Sequence, residues 1–276
     1  MKSGNLANLE RGIMKREVLM WGIIVALIVG ALIASAPKAE PMAIDFTNTA
    51  SQRVTFSNSV GVLDQKSIFI WVDLDSFGDT STGAYLLSRS DPSLPISWYT
   101  NFFTSTKMFS LSVAAGMGGG VWATNNDTVA TGKHLYVATF DSTSIANDPI
   151  FYIDGAPVAV NELQAPTVPF STELNHDFIL GGFTTTKSPD ARIMKSFVLP
   201  FIATADQVKK EWDSRGAGGL SKQAVFCPQL IGAKGLQAFD GTTLTADNLI
   251  VDPCSGSNGI PNGSPVGVGE TYLSIK

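Results

Sequence analysis

Glycoside hydrolysis needs two carboxylates held about 5–5.5 Å or 6.5–9.5 Å apart across the scissile bond. On a strand that takes alternate acidic residues, because every second side chain enters the same cleft. The 276-residue chain has no Glu-x-Asp-x-x-Glu run. Its nearest approach, Glu211-Trp212-Asp213, falls in a helical pattern, where residues i and i+2 diverge, and reads as a solvated helix end. Nucleophilic catalysis needs a base beside the nucleophile. The two histidines, His134 and His176, have no identifiable catalytic partners, and no Gly-x-Ser-x-Gly elbow is present. No zinc-ligand spacing appears either. No catalytic residue is therefore assigned, and the chain reads as a non-enzyme.

Two groups could bind. Asp73, Asp75 and Asp79, in Asp-Leu-Asp-Ser-Phe-Gly-Asp, place oxygen ligands at the spacing that opens a calcium loop, although Phe77 stands where a further ligand is needed. The plainer reading is an Asx-rich turn, as for Asn125-Asn126-Asp127. Trp98-Tyr99 with Phe102-Phe103 could form an aromatic ligand platform, since such rings stack on sugars and anchor interfaces. The plainer reading places them as alternate residues of a core, where Trp71 and Trp122 fit better still. Met117-Gly118-Gly119-Gly120 is a loop and not a phosphate cradle, because no Lys-Ser/Thr follows it.

The elements that position these residues follow from composition and pattern. Charged residues are only 16%, with 26 Gly and 14 Pro, which fits short strands and many turns better than helices. The net charge is −5 and no basic stripe occurs beyond Lys15-Arg16, so nucleic acid is excluded as a partner. Val18 to Ala36 carries no charge and follows Lys15-Arg16, which predicts a transmembrane anchor at 18–36 with residues 1–17 cytoplasmic and the remainder outside. The rival is a cleaved signal peptide ending at Ala34-Ser35-Ala36. The anchor is favoured because Pro37 would follow the cut. Residues 37–50 read as a linker.

Apolar runs of four to nine residues then recur between turn signals. They are 53–56, 67–74, 84–88, 96–103, 108–113, 121–124, 134–140, 150–153, 157–160, 178–182 and 192–199. Ser67–Leu74 is apolar enough to be covered on both faces. Asp154-Gly155 is a tight-hairpin signal. One helix is indicated, with Thr204 and Gln207 as a capping box and Ala205, Val208 and Trp212 on one face. A Gly-rich segment, 216–276, with weak strands at 235–239, 249–251 and 271–275, is expected to close the same sandwich. It holds both cysteines, Cys227 and Cys254. A single disulfide is expected in an exported chain, with two buried thiols as the alternative.

The order of these motifs resembles a known group. His134-Leu135-Tyr136-Val137-Ala138-Thr139-Phe140-Asp141, then Phe151-Tyr152-Ile153-Asp154-Gly155, is similar to the "WHxVAxTYD" and "YxDG" elements of the laminin-G-like branch of the concanavalin A-like lectin/glucanase superfamily. Phe178 to Phe183 resembles its "xxIGG" strand, and Ala191 to Phe197 with Ala203 to Val208 its last strand and short helix. The segment 236–262 resembles the stretch that usually opens such a domain. The resemblance covers about residues 45–215. It implies an all-β, two-sheet antiparallel jelly roll, with the domain at 51–215 and the extension at 216–276. Members mostly bind sugars or proteins, and some hydrolyse glycosides; fold alone does not choose. The expected function is a membrane-anchored surface recognition or adhesion module for a glycan or protein ligand. The alternative is a structural virion or cell-envelope protein that assembles as a homo-oligomer.

Overall fold

Side chains that alternate along a strand commit one face inward and leave the other to be covered or wetted. The computed structural model describes residues 42–47, 52–56, 60–77, 83–90, 97–113, 118–170, 176–182, 190–230, 240–243, 250–252, 254, 257–262 and 266–269. The expected anchor at 18–36 lies outside these residues. Among the described residues, no helix is long and apolar enough to cross a membrane.

In chain order the strands are β1 (Met42–Phe46), β2 (Arg53–Phe56), β3 (Gln65–Ser76), β4 (Ala84–Ser90), β5 (Trp98–Phe103) and β6 (Met108–Val113). There follow β7 (Val121–Thr124), β8 (Gly132–Asp141), β9 (Ile150–Ile153), β10 (Ala156–Val158), β11 (Val160–Gln164), β12 (Asp177–Gly181) and β13 (Asp190–Leu199). After helix α1 (Ala205–Asp213) and a 3-10 turn (Leu220–Gln223) come β14 (Gln229–Leu230), β15 (Asp240–Thr243), β16 (Ile250–Asp252), β17 (Ser257–Asn262) and β18 (Val266–Gly269). They form two sheets. Sheet A runs β10-β9-β8-β3-β13-β1-β18-β15, and sheet B runs β11-β7-β6-β5-β4-β12-β2-β17-β16-β14. All described pairings are antiparallel.

The expected linker at 37–50 needs correction. Met42–Phe46 is a strand between β13 and β18. Ala43, Ile44 and Phe46 are buried, and two neighbouring strands satisfy its backbone. The Gly-rich segment adds strands to both sheets, through β18 beside β1 and β17 beside β2. Its expected strands at 235–239 and 271–275 lie outside the described residues. Cys227 and Cys254 are disulfide-bonded.

The inner faces meet in a core of Ile68, Ile70, Tyr136 and Phe140 from sheet A against Phe56, Trp98, Phe109, Trp122 and Phe178 from sheet B. Sheet A is apolar on its outer face as well. There Phe69, Trp71, Leu135, Val137 and Phe197 carry a second layer with Val208, Leu220 and Cys227. The Trp71 and Trp212 rings stack with centroids 5.2 Å apart. Helix α1 begins at a capping box in which Thr204 Oγ1 accepts from the Gln207 N–H while Gln207 Oε1 accepts from the Thr204 N–H. Ala205 is exposed, so the buried stripe is Val208, Glu211 and part of Trp212. Glu211 is thus no solvated helix end. It is fully buried and takes the Lys195 ammonium at 2.8 Å, while Lys195 also donates to the Gly216 carbonyl at 2.5 Å. Asp213 turns to solvent and pairs with Lys209.

The Asp154-Gly155 turn has φ of 54° and 80°, as a primed hairpin turn requires. A Cβ on Gly155 would stand 2.9 Å from Trp212 Cβ, so the hairpin and α1 meet only through glycine. Asp154 locks the turn to β8. One carboxylate oxygen accepts from the Leu135 N–H at 2.9 Å, and the other bonds His134 Nδ1 at 2.7 Å. His134 Nε2 lies 3.3 Å from the Thr131 carbonyl. Bonding to Asp154 raises the His134 pKa above 6.5, against the opposing effect of burial.

Two predictions follow from these anchors. Because the folded His134 pKa is raised, its stabilisation is complete below the unfolded value of 6.5 and is lost as pH rises through the folded one. Thermal melts from acid to mildly alkaline buffer should show a decline that His134→Asn abolishes; identical pH profiles would refute the clamp. The disulfide joins residues 27 apart. Replacing both cysteines by serine should lower stability by about 3 kcal/mol on the loop-entropy account, measured by denaturant titration.

Candidate functional site

The four aromatic residues proposed as a platform do not stand on one surface. Trp98 and Phe102 point inward and are 0% and 1% exposed. Trp98 meets the Phe178 ring at 6.1 Å, and Phe102 meets Tyr136 at 4.8 Å. Tyr99 and Phe103 take the alternate positions on the outer face of sheet B and are half-buried. Strand alternation divides the set, so only Tyr99 and Phe103 remain available to a ligand.

The calcium reading also changes. Asp73 and Asp75 both receive Arg192 Nη2, at 3.0 and 3.2 Å, and Lys133 approaches Asp73 at 4.0 Å. The cross-strand register explains this, since Asp73 is opposite Arg192 on β13 and Lys133 on β8. These carboxylates are neutralised by side-chain cations and form an ion-pair cluster. Asp79 lies outside the described residues, and no group of three metal-ligating side chains occurs among the described ones.

His176 is buried and shares a hydrogen bond between its Nδ1 and Ser97 Oγ, which is also buried. Beside them the fully buried Arg89 donates to the carbonyls of His176 at 3.4 Å, Gly61 at 3.0 Å and Val60, with its guanidinium 5.1 Å from the Phe178 ring centre. This cluster lies inside the fold and ties the 60–61 segment to the start of β12.

What the register does assemble is the outer face of sheet B. One row across the sheet reads Thr55, Ile179, Ser88, Tyr99, Ser112 and Val121. The next row reads Tyr85, Asn101, Ser110 and Ala123. The Tyr85 and Tyr99 rings meet at 4.6 Å, inclined at 50°. Burial, reinforced by Tyr99, pushes the Tyr85 phenol well above its ordinary pKa, so it keeps its proton. Asn101 accepts from the Ser110 hydroxyl. Its amide packs so closely on Gly83, whose φ is 94°, that a Cβ there would lie 2.5 Å from Asn101 Nδ2. Ser88, Ser90 and Ser112 are fully buried, and their hydroxyls have no hydrogen-bond partner in the protein. No charged side chain falls on this face of β4, β5 or β6; Asp177, opposite Ser90 on β12, marks its edge. Sequence reasoning passed over these serines. Their signal is the alternation Ser88-x-Ser90 and Ser110-x-Ser112, small polar residues where an apolar outer face would need bulk.

No family model and no curated protein matches this chain. Solved structures share its fold. A heptameric pentraxin of serum amyloid P type from Limulus polyphemus superposes with a TM-score of 0.50 and 14% identity, over 66% of this chain and 87% of that one. A protein from Bacteroides ovatus described as carbohydrate-binding superposes with a TM-score of 0.55 and 14% identity, over 87% of this chain and 63% of that one. At these identities the likeness is one of fold alone: the chain is a two-sheet antiparallel β-sandwich.

Proposed function

We propose that this protein is a non-enzymatic, extracytoplasmic recognition module that binds a glycan on the outer face of sheet B, across β4, β5 and β6. One observation carries the reading. The two outer faces differ in kind: that of sheet A is apolar and sealed by α1, whereas on that of sheet B the serines of β4 and β6 are buried and the half-buried Tyr85–Tyr99 pair is open to a ligand. A partly exposed aromatic pair suits a sugar ring, which presents C–H groups on its flat sides.

The disulfide supports an oxidising compartment, and the apolar segment 18–36 would hold the module at a membrane. The carbohydrate binding ascribed to the Bacteroides neighbour agrees with a sugar ligand. Closer membership of the laminin-G-like branch, with a domain at 51–215 and its extension at 216–276, rests on the motif order around His134–Phe140 and Asp154-Gly155.

The full chain in detergent should bind members of a glycan array. Tyr99→Ala should reduce that binding at least tenfold with a small change in melting temperature. Trp98→Ala should instead cost about 3–5 kcal/mol of stability, as expected for a truncated core tryptophan. A blank array together with a closed oligomer in light scattering would overturn this proposal in favour of a structural assembly protein.

A further inference from the structure

We infer that the strands from β14 to β18 form an exchangeable closing unit, which fits the β1–β2 side of its own chain or of a second copy, and that the Cys227–Cys254 bridge assigns it to its own. The inference is independent of the glycan reading. Backbone pairing defines the unit: β14 pairs β16, β16 pairs β17, and β15 pairs β18. Among the described residues, two further pairings join these strands to the rest of the fold. β17 pairs β2, with Gly259 opposite Phe56 and Asn262 opposite Arg53. β18 pairs β1, with Val266 opposite Asp45 and Gly269 opposite Met42. The chain passes from sheet A to sheet B between β1 and β2, and from sheet B to sheet A between β17 and β18. The two closing strands therefore line two consecutive strands of the body, one in each sheet.

Without that unit, β1 and β2 would become sheet edges beside the buried Ile44, Phe46, Val54 and Phe56, and their backbone groups would lose partners. This side has to be closed by something. The closing strands, Ser-Asn-Gly-Ile-Pro-Asn and Val-Gly-Val-Gly, are poor strand formers, and Pro261 has no N–H to donate. What holds them is largely backbone pairing, which does not distinguish one copy of the chain from another. The same register forms in either arrangement, so the two differ mainly in the entropy of association.

The bridge breaks that equivalence. Cys227 belongs to the body: it lies in the layer outside sheet A, and the preceding Phe226 carbonyl accepts from the Val198 N–H of β13 at 2.8 Å. Cys254 belongs to the closing unit, between β16 and β17. Two residues, 255 and 256, separate it from β17, a reach of about 10 Å in extended chain, too short to deliver β17 to a second body. The bridge forms when the two thiols give up two electrons and two protons to a disulfide oxidant, which is reduced to two thiols. Chains that close on each other before this step exchange their units; chains bridged first keep their own.

The test refolds full chains in detergent with oxidised glutathione: Cys227→Ser alone, Cys254→Ser alone, and the two mixed. Exchange brings Cys254 of the first variant to Cys227 of the second. The mixture should give a covalent heterodimer joined from 254 to 227, identified by peptide mapping, in about tenfold excess over the homodimers of either variant. Its yield should rise with protein concentration. Heterodimers no more abundant than random pairing yields, or no dimer at all, would overturn the inference. A second measurement needs no substitution and so does not depend on how the variants fold. The unaltered chain, folded in a dithiol reductant and sized by light scattering, should form a concentration-dependent dimer that is absent when it folds under oxidant. The same size distribution in both conditions would also overturn it.

Discussion

The structure depends on the two-residue alternation of extended chain, reset where β4 and β13 carry bulges. Once the inner faces of two sheets are committed to a shared core, every residue at the other parity is assigned to an outer face. In sheet A those residues are Phe69, Trp71, Leu135, Val137 and Phe197, which cannot be left in water. They require the cover that α1 and the 3-10 turn provide. In sheet B the outer positions of the central strands hold Ser88, Ser110, Ser112 and Asn101, which are buried as well. The helix is placed by the composition of one outer face, and the candidate site by that of the other.

Buried charge is spent on joining segments. Arg89 gathers carbonyls from the 60–61 segment and from His176, and Lys195 reaches from β13 to Glu211 and the Gly216 carbonyl beneath α1. Removing one partner would strand the other in a dry interior, so such pairs fix geometry more than they add net stability. Ser88, Ser90 and Ser112 of sheet B are buried without a hydrogen-bond partner, as are Ser196 Oγ and Trp71 Nε1 of sheet A and Trp98 Nε1 in the core.

Much of the fold was legible because strand signals are local. The runs 53–56, 108–113, 121–124 and 150–153 match observed strands in full, as do the capping box and the Asp-Gly turn. Strand β1 was missed because 37–50, read beside the apolar segment, looked like a tether. Its strand character comes from pairing with β13 and β18, which are distant in sequence. The site was less legible for the same reason. Trp98-Tyr99 and Phe102-Phe103 attract attention as neighbours, but neighbours on a strand face opposite ways. The serine row exists only after β4, β5 and β6 are laid side by side. Asp73 and Asp75 likewise look like open ligands until Arg192 and Lys133 arrive from adjacent strands.

This bears on what the motif resemblance conveys. His134 and Asp154-Gly155, the most distinctive residues of the shared pattern, have structural work in this fold. Asp154 holds the hairpin to His134 and the Leu135 N–H, and Gly155 admits Trp212. A chain can keep this pattern because it closes β8, β9 and α1 together, whatever it binds. None of Tyr85, Ser88, Tyr99, Asn101, Ser110 or Ser112 belongs to the pattern. The motif therefore carries the architecture and leaves the chemistry of β4, β5 and β6 unassigned, because a fold does not by itself choose a function.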